Sequence, residues 1–462
     1  MLKHPSTMPS GRDEMAPDPR FGTGNLVIPR YELPPDELPP DVAYQIIHDE
    51  LMLDGNARLN AATFVTTWME PQADRLMAEC ADKNMIDKDE YPQTADLEMR
   101  CVSILSRLWH APEAAQATGC STTGSSEAAM LAGLALKRRW QQRRRAAGAP
   151  ADRPNLVMGI NVQVCWEKFA AYWDVEMRLV PMEGDRLTLS AEEAVRRCDE
   201  NTIGVVAILG STYDGSYEPV ADICQALDDL QERTGTDVPV HVDGASGAFV
   251  APFLDPGLLW DFRLPRVASI NASGHKYGLV YPGVGWVVWR TAEALPPELI
   301  FWVNYLGDTM PTFALNFSRP GAQVVAQYYN FLRLGYAGYR RVHSYARDVA
   351  TRLAGRIAEL GPFELLTHGD QLPVFAFKVR DDIGNFTVFD VSGALRERGW
   401  QVPAYQFPEN RQDLSALRIV VRRGFTHDLA DMLVDDLKRQ LPRLEKQHSP
   451  QHDGATASSF HH

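Results

Sequence analysis

The sequence predicts an α/β protein, with a large domain on a mostly parallel sheet followed by a small α+β C-terminal domain. Three observations carry this expectation. From about residue 155, short β-branched runs alternate with amphipathic stretches, the pattern of a parallel sheet covered on both faces by helices. Beyond about residue 370, runs at 375–379 and 417–421 read as strands around a helix near 388–398. The chain has 462 residues, 45% hydrophobic and 23% charged, enough to bury a large core in two or three ordinary globular domains.

The elements follow in order. Residues 1 to about 40 hold Pro5, Pro9, Pro17, Pro19, Pro34, Pro35, Pro39 and Pro40 among acidic neighbours. With few apolar anchors, residues 1–59 read as an arm rather than a domain. Asp41 is placed to cap a helix through 42–47 toward Leu53, ended by Asp54-Gly55-Asn56. Helices follow near 70–80 and over 94–109, on either side of a polar loop at 84–92. Residues 119–127 are small and read as a loop leading into a strong helix over 128–136. Strands at 156–160, 175–180, 203–209, 238–242, 266–270 and 285–289 alternate with helices near 166–173, 190–198 and 220–233. Ser190 with Glu193 three residues on is a capping-box pattern. Residues 321–360 read as one long helix. The large domain is placed at 60–345, the small one at 346–450, and a polar tail at 451–462.

Charge and cysteine usage narrow the function classes. The net charge of −14 argues against a nucleic-acid or anionic-membrane partner. No apolar run reaches bilayer length, and the first thirty residues lack the basic-then-apolar pattern of a signal peptide. Cys80, Cys101, Cys120, Cys165, Cys198 and Cys224 form no CxxC pair. Free thiols in a reducing cytoplasm are expected, rather than zinc ligands. The basic run at 137–145 reads as a solvated helix end.

In an open α/β sheet, ligands bind beyond the carboxyl ends of the strands. Three features fall there. Gly124-Ser125-Ser126-Glu127 opens a helix, and its hydroxyls and free amides make either an anion site or a plain N-cap. Asp243 ends the run Val240-His241-Val242. It could bind a metal with His241, cap a helix or pair with a ring nitrogen, and no third metal ligand is evident nearby. Lys276 lies in the turn Asn271-Ala272-Ser273-Gly274-His275-Lys276-Tyr277-Gly278. It is either a solvated turn lysine or one whose desolvated amine can lose its proton and form a Schiff base. An anion cradle, an isolated carboxylate and a strand-end lysine are together the parts needed to hold pyridoxal 5'-phosphate. No P-loop or GxGxxG fingerprint competes.

Longer stretches sharpen this. They are Thr66-Thr67-Trp68-Met69, Asp87-Lys88-Asp89-Glu90-Tyr91-Pro92, Gly124-Ser125-Ser126-Glu127-Ala128, Val162-Gln163-Val164-Cys165-Trp166, Ala170-Ala171-Tyr172-Trp173-Asp174-Val175-Glu176, Ser273-Gly274-His275-Lys276, Asn316-Phe317-Ser318-Arg319-Pro320 and Arg422-Arg423-Gly424-Phe425. In these, and in their order from about residue 41 to 425, the chain closely resembles the pyridoxal-phosphate-dependent glutamate decarboxylases, in particular the bacterial ones. The resemblance implies the type I fold of pyridoxal-phosphate-dependent transferases. It also implies a lyase that converts L-glutamate to 4-aminobutanoate and carbon dioxide, consuming a proton.

Site roles come with the resemblance. Lys276 is similar to the Schiff-base lysine and Asp243 to the partner of the pyridine nitrogen. Ser125 and Ser126 match the phosphate cradle, with His275 beside it and Ser318 reaching it from a neighbouring subunit. Gln163 and Ala245 match side chains against the ring, and Thr212 a cofactor-side contact. Thr63 and Phe64 match the pocket for the distal carboxylate, joined by Asn84 and Asp87 of the partner chain. Arg422 resembles the α-carboxylate anchor, and His462 the C-terminal histidine that closes over the site. No metal is implied. Self-association is implied as at least a dimer, with a hexamer as the larger assembly in view, in the cytoplasm. Asp87 beside a substrate carboxylate would have to share a proton with it, so activity is expected to be best in mild acid. Departures also appear. Four prolines in residues 1–20 disfavour the long N-terminal helix of acid-resistance relatives. Gly244 replaces the usual alanine, and Glu167 stands where relatives often have histidine. The tail lacks the Trp-plus-basic segment of calmodulin-regulated relatives.

Overall fold

The computed structural model describes residues 30–446 except 113 and 304–309. The expectations for the first part of the arm, for the tail and for His462 therefore lie outside the described residues. The chain divides into two compact units between Asn56 and Ala57. In the first, helix α1 spans Pro40–Leu51, with Pro39 rather than Asp41 at its N-cap. Pro40 takes the first helical position, where a missing N–H costs nothing, and Asp41 falls in the first turn facing the positive end of the dipole.

The second unit is built on a seven-stranded sheet. Its strands are β1 (Thr118–Thr122), β2 (Asn155–Gly159), β3 (Glu176–Val180), β4 (Thr202–Ile208), β5 (Val240–Asp243), β6 (Val267–Ala272) and β7 (Gly285–Trp289), in the order β1-β7-β6-β5-β4-β2-β3. Strands β2 to β6 pair in parallel, and β7 runs against both β1 and β6. Every residue of β2, β4, β5, β6 and β7 is buried. That is why these strands read as continuous apolar runs instead of alternating. The covering helices are α2 (Pro71–Glu79), α3 (Pro92–Leu108), α4 (Ser125–Ala146), α5 (Val164–Tyr172), α6 (Ala191–Arg196), α7 (Val220–Thr234), α8 (Ala251–Leu254) and α9 (Ala322–Ala358). The mostly parallel α/β architecture expected from the sequence is the one found.

Three local readings change. Residues 118–122 are an edge strand, not a loop, because the space beside them admits only small side chains. A Cβ on Gly119 would lie 2.5 Å from the Val287 carbonyl oxygen and 2.9 Å from Val102 of α3. Ser190 does accept from the Glu193 N–H at 3.2 Å, but the Glu193 carboxylate turns away to Arg196 and Arg197, so only half the capping box forms. The long helix α9 is broken at Gly335, whose φ of 55° and ψ of −173° are open to glycine and strained for other residues.

Strands β8 (Phe301–Val303) and β9 (Met310–Thr312) form a small antiparallel pair. The C-terminal module follows. In it β10 (Phe363–Leu365), β11 (Val374–Val379), β12 (Ala404–Gln406) and β13 (Ser415–Val420) make an antiparallel sheet in the order β10-β11-β13-β12. Helix α10 (Val388–Arg396) starts in a complete capping box between Thr387 and Asp390. Helix α11 (His427–Leu444) and the later part of α9 supply Leu433, Leu437, Val349 and Leu353 to the core of this module. The parallel arrangement sends the carboxyl ends of β2, β4, β5 and β6 to one edge, and β1, opposed to β7 as β6 is, ends there too. From that edge emerge residues 123–126, 160–163, 209–212, 244–246 and 273–276.

The turn after β6 closes tightly: a Cβ on Gly278 would lie 2.5 Å from the Gly274 carbonyl oxygen and 2.7 Å from the Gly274 Cα. Both are backbone atoms that cannot step aside. Gly278→Ala is expected to destabilise the cofactor-free protein by roughly 1–3 kcal/mol, read as a fall in thermal midpoint. Gly257→Ala, where a Cβ meets nothing within 4 Å, is expected to leave the midpoint in place.

Candidate active site

The strand-end loops bring Lys276, Asp243 and Ser125 together, with His275 against the start of α4. Lys276 is partly buried. Its Nζ lies 3.4 Å from the Ser246 hydroxyl and 5.2 Å from the centre of the Phe64 ring. The lysine turn is pinned from outside the sheet: the Thr66 N–H donates to the His275 carbonyl at 2.7 Å, and the Thr66 hydroxyl to the Lys276 carbonyl at 2.8 Å. Those bonds dock the segment that carries Thr63 and Phe64 directly onto the lysine.

Asp243 is buried and accepts from three donors. Trp166 Nε1 reaches Oδ2 at 2.8 Å, while Asn271 Nδ2 and the Ala245 N–H reach Oδ1 at 3.1 Å each. His241, on the same face of β5, is committed to Ser269 and Asn271 at 2.8 Å each. It is a satisfied core histidine, and the metal alternative for the His241–Asp243 pair has no geometry behind it.

At the start of α4, Ser125 Oγ accepts from Ser273 Oγ at 2.8 Å and from Asn271 Nδ2 at 3.1 Å, while Ser126 is exposed. The imidazole of His275 lies over Gly124, where a Cβ would sit 3.2 Å from the ring, and its Nδ1 is buried without a partner. Ala245 follows Asp243 at the same edge. Gln163 caps α5, its side chain accepting from the Cys165 N–H at 2.8 Å. The neighbouring Glu167 is exposed. Gly244 is enforced by packing, since a Cβ there would lie 2.5 Å from the Ala248 Cβ.

Asn84 and Ser318 form a second cluster. Asn84 Nδ2 donates to the Ser318 hydroxyl at 3.3 Å, and the Arg319 N–H donates to Asn84 Oδ1 at 3.1 Å. Asp87 lies in the same loop, its N–H bonded to the Asn84 carbonyl at 3.2 Å. Two buried carboxylates hold this cluster. Glu98 takes Arg319 at 3.3 Å, and Glu127 takes the N–H groups of Leu315 and Asn316 at 3.1 and 3.2 Å.

Two arginines reach the segment that carries Thr63 and Phe64. Arg422 is buried, and its guanidinium donates to the Ala57, Asn60 and Val65 carbonyls and to the Thr67 hydroxyl. It ties the 57–67 segment down. Arg418, which lies outside the family-like stretches, stands 4.8 Å from the centre of the Phe64 ring that Lys276 also approaches. It donates to the Thr212 carbonyl and, at 3.0 Å, to the Ala62 carbonyl. No carboxylate among the described residues pairs with it, and its Nε has no partner. The signal was available: a lone cation inside the apolar run Leu417-Arg418-Ile419-Val420. Asn271 and Trp166 were likewise missed, because only the fold shows that both reach Asp243.

Residues 34–380 match the pyridoxal-dependent decarboxylase conserved domain. The chain is 56% identical to a glutamate decarboxylase of Aliivibrio fischeri, over 95% of each chain. It is 51% identical to glutamate decarboxylase 5 of Arabidopsis thaliana, over 91% of this chain and 85% of that one. The glutamate decarboxylase structure from Lactobacillus brevis superposes with a TM-score of 0.88 at 47% identity, covering 92% of this chain and 97% of the other. A sphingosine-1-phosphate lyase from Burkholderia pseudomallei, at 21% identity and a TM-score of 0.76 over 92% of this chain and 93% of that one, shares the fold.

Burial sets the electrostatics of the site. It holds the Lys276 amine below the ordinary lysine range, against the opposing pull of Asp243 and with help from the Arg418 charge. His275 is pushed down to about 4, first by burial and then by Lys276. Burial also takes His241 down to about 4. In the unfolded chain both imidazoles titrate near ~6.5. The folded values are lower, so the unfolded state takes up protons first on acidification. The stability these groups contribute is complete above about 6.5 and is lost as pH falls to about 4. The thermal midpoint of the cofactor-free protein is expected to drop across that window. His275→Gln is expected to make the drop shallower, measured by calorimetry at stepped pH.

Proposed function

The chain belongs to the pyridoxal-dependent decarboxylase family, and we propose that it removes the α-carboxylate of L-glutamate, giving 4-aminobutanoate and carbon dioxide and consuming one proton. The observation that carries this reading is Arg418 beside Lys276. It is a desolvated cation with no carboxylate partner among the described residues, and it shares the Phe64 ring with the lysine, at 4.8 and 5.2 Å from the ring centre. Such a cation, next to an amine made reactive by burial, suits a substrate that brings its own carboxylate. The glutamate-acting relatives at 50–56% identity supply the choice of amino acid.

The residues present fit pyridoxal 5'-phosphate. Among the described residues the one hydrogen-bond partner of Lys276 Nζ is the Ser246 hydroxyl at 3.4 Å, and His275 Nδ1 is buried without a partner beside the start of α4. Lys276 would hold the aldehyde carbon and Asp243 the ring nitrogen. Ser125, Ser126 and His275 would hold the phosphate, with Gln163 and Ala245 against the ring and Thr212 at its side. When bound, the cofactor supplies an electron sink for the pair left at Cα as carbon dioxide departs.

The chain's own residues do the rest. Arg418 takes the α-carboxylate, and the Thr63–Phe64 segment takes the distal one. Fixing both ends decides which bond at Cα breaks. Arg422 acts one step back, by anchoring that segment. Phe64, buried next to both cations, keeps water from the reacting carbon. The Lys276 amine, unprotonated more readily than an exposed lysine, is placed to move the proton at Cα. Asn84, Asp87 and Ser318 reach the site from a second copy, which makes the enzyme at least a dimer and suits a hexamer. Their mutual contacts support this, since one loop cluster would deliver all of them together. Asp87 must share a proton with the distal carboxylate, which favours mild acid. Six unpaired cysteines suit a reducing cytoplasm, where we place the enzyme.

With the loaded protein, glutamate is expected to give carbon dioxide and 4-aminobutanoate one to one, and aspartate is expected to be about 10⁴-fold poorer because it leaves the distal pocket unpaired. A keto acid and ammonia as products would overturn the reading. Arg418→Met should lower kcat/KM by about 100-fold, the size of a lost hydrogen bond to charge. Arg422→Met should chiefly lower the thermal midpoint. Mixing Lys276→Ala chains with Ser318→Ala chains should restore activity that neither homo-oligomer has, because one site in the mixed pair is whole. Failure of reassembled mixtures to recover activity would count against a shared site.

A further inference from the structure

Behind Asp243 and Ser125 lies a set of buried polar groups that no step above uses. Asn271, on β6, is fully buried, as is His241 on the adjacent β5. The Asn271 amide nitrogen donates both to Asp243 Oδ1 and to Ser125 Oγ, at 3.1 Å each. Its amide oxygen faces His241 Nε2 at 2.8 Å, and His241 Nδ1 faces the Ser269 hydroxyl at 2.8 Å.

The hydrogen positions follow by elimination. Asp243 takes the Trp166 N–H on Oδ2 and the Ala245 N–H on Oδ1, and it meets Asn271 as an acceptor too, so the Asn271 atom toward it is the NH₂. The oxygen then points at His241 Nε2, which must carry a proton. Burial keeps His241 neutral down to about 4, so its Nδ1 is bare and accepts from Ser269. Each donor in the row is thereby spoken for. Ser125 Oγ accepts from Asn271 and from Ser273 at 2.8 Å, which leaves its own hydrogen to point outward into the cradle. Asp243 is left with an accepting position beyond those used by Trp166, Asn271 and Ala245.

We propose that Asn271 is a positioning residue shared by the two ends of the cofactor site, and that His241 fixes the orientation of its amide. One side chain then sets both the direction of the carboxylate that meets the ring nitrogen and the donor direction of the cradle serine. The inference rests on the reading of Asp243 and Ser125 as cofactor contacts. The register of β5 and β6, which pairs Asp243 with Asn271, is what makes one residue able to serve both.

The test is an equilibrium titration of the cofactor-free full chain with pyridoxal 5'-phosphate, following the absorbance band of the bound form. Asn271→Leu is expected to weaken binding by about 10- to 100-fold, as supporting-shell losses do, and to displace the band in the same sense as Asp243→Asn. The double variant Asn271→Leu with Ser125→Ala should lose less than the product of the single losses. His241→Leu should behave like Asn271→Leu. His241→Gln, whose amide can donate where Nε2 does, should recover affinity and band. Wild-type affinity and band in Asn271→Leu, with Asp243→Asn and Ser125→Ala both impaired, would overturn the shared role alone. Weakened binding with an unmoved band and no recovery in His241→Gln would reduce Asn271 to packing and also overturn it. Unimpaired Asp243→Asn and Ser125→Ala would remove the cofactor reading beneath it.

Discussion

The desolvation of one amine governs the site. An exposed lysine is protonated at any physiological pH and cannot act as a nucleophile. Lys276 is shifted the other way by its enclosure, with Phe64 on one side and the strand-end loops on the other. That enclosure has a structural source. The lysine turn closes glycine to glycine, and Thr66 bonds two consecutive carbonyls of it. The segment that covers the lysine also carries Thr63 and Phe64, so burial of the amine and placement of those two residues are a single event.

Arg418 and Arg422 show how two similar residues divide the work. They lie four apart, on β13 and just beyond it. Arg422 donates through its terminal nitrogens to carbonyls of residues 57–65 and to Thr67, and its Nε has no partner among the described residues. Arg418 donates to two carbonyls, lies near the Phe64 and Tyr405 rings, and likewise has an unpartnered Nε. Arg422 holds the segment that carries Thr63 and Phe64, and Arg418 stands over the Phe64 ring near Lys276. The burial of both is tolerable because each is hydrogen-bonded to backbone in place of water.

Most of the fold was legible in the sequence. Strands buried on both faces announce themselves as continuous β-branched runs, and the strand-end positions of Asp243 and Lys276 follow from them. What was not legible had physical reasons. Residues 118–122 form a strand through packing of their small side chains against α3 and β7, which no propensity encodes. Asn271, Trp166 and Thr66 serve the site through contacts between elements distant in sequence. Arg418 was passed over for the same kind of reason, since only the fold shows that it stands over the Phe64 ring. The cluster around Asn84, Asp87 and Ser318 was named through resemblance. The structure adds what holds it together, the buried Glu98 and Glu127.

Borohydride reduction of the cofactor-loaded protein, followed by peptide mapping, tests the central claim most directly. Reduction fixes the cofactor to whichever amine it is bonded to. The account predicts a single modified peptide containing Lys276, and none in the Lys276→Ala protein. Modification at another lysine, or no modification of a protein that still holds the cofactor, would contradict it.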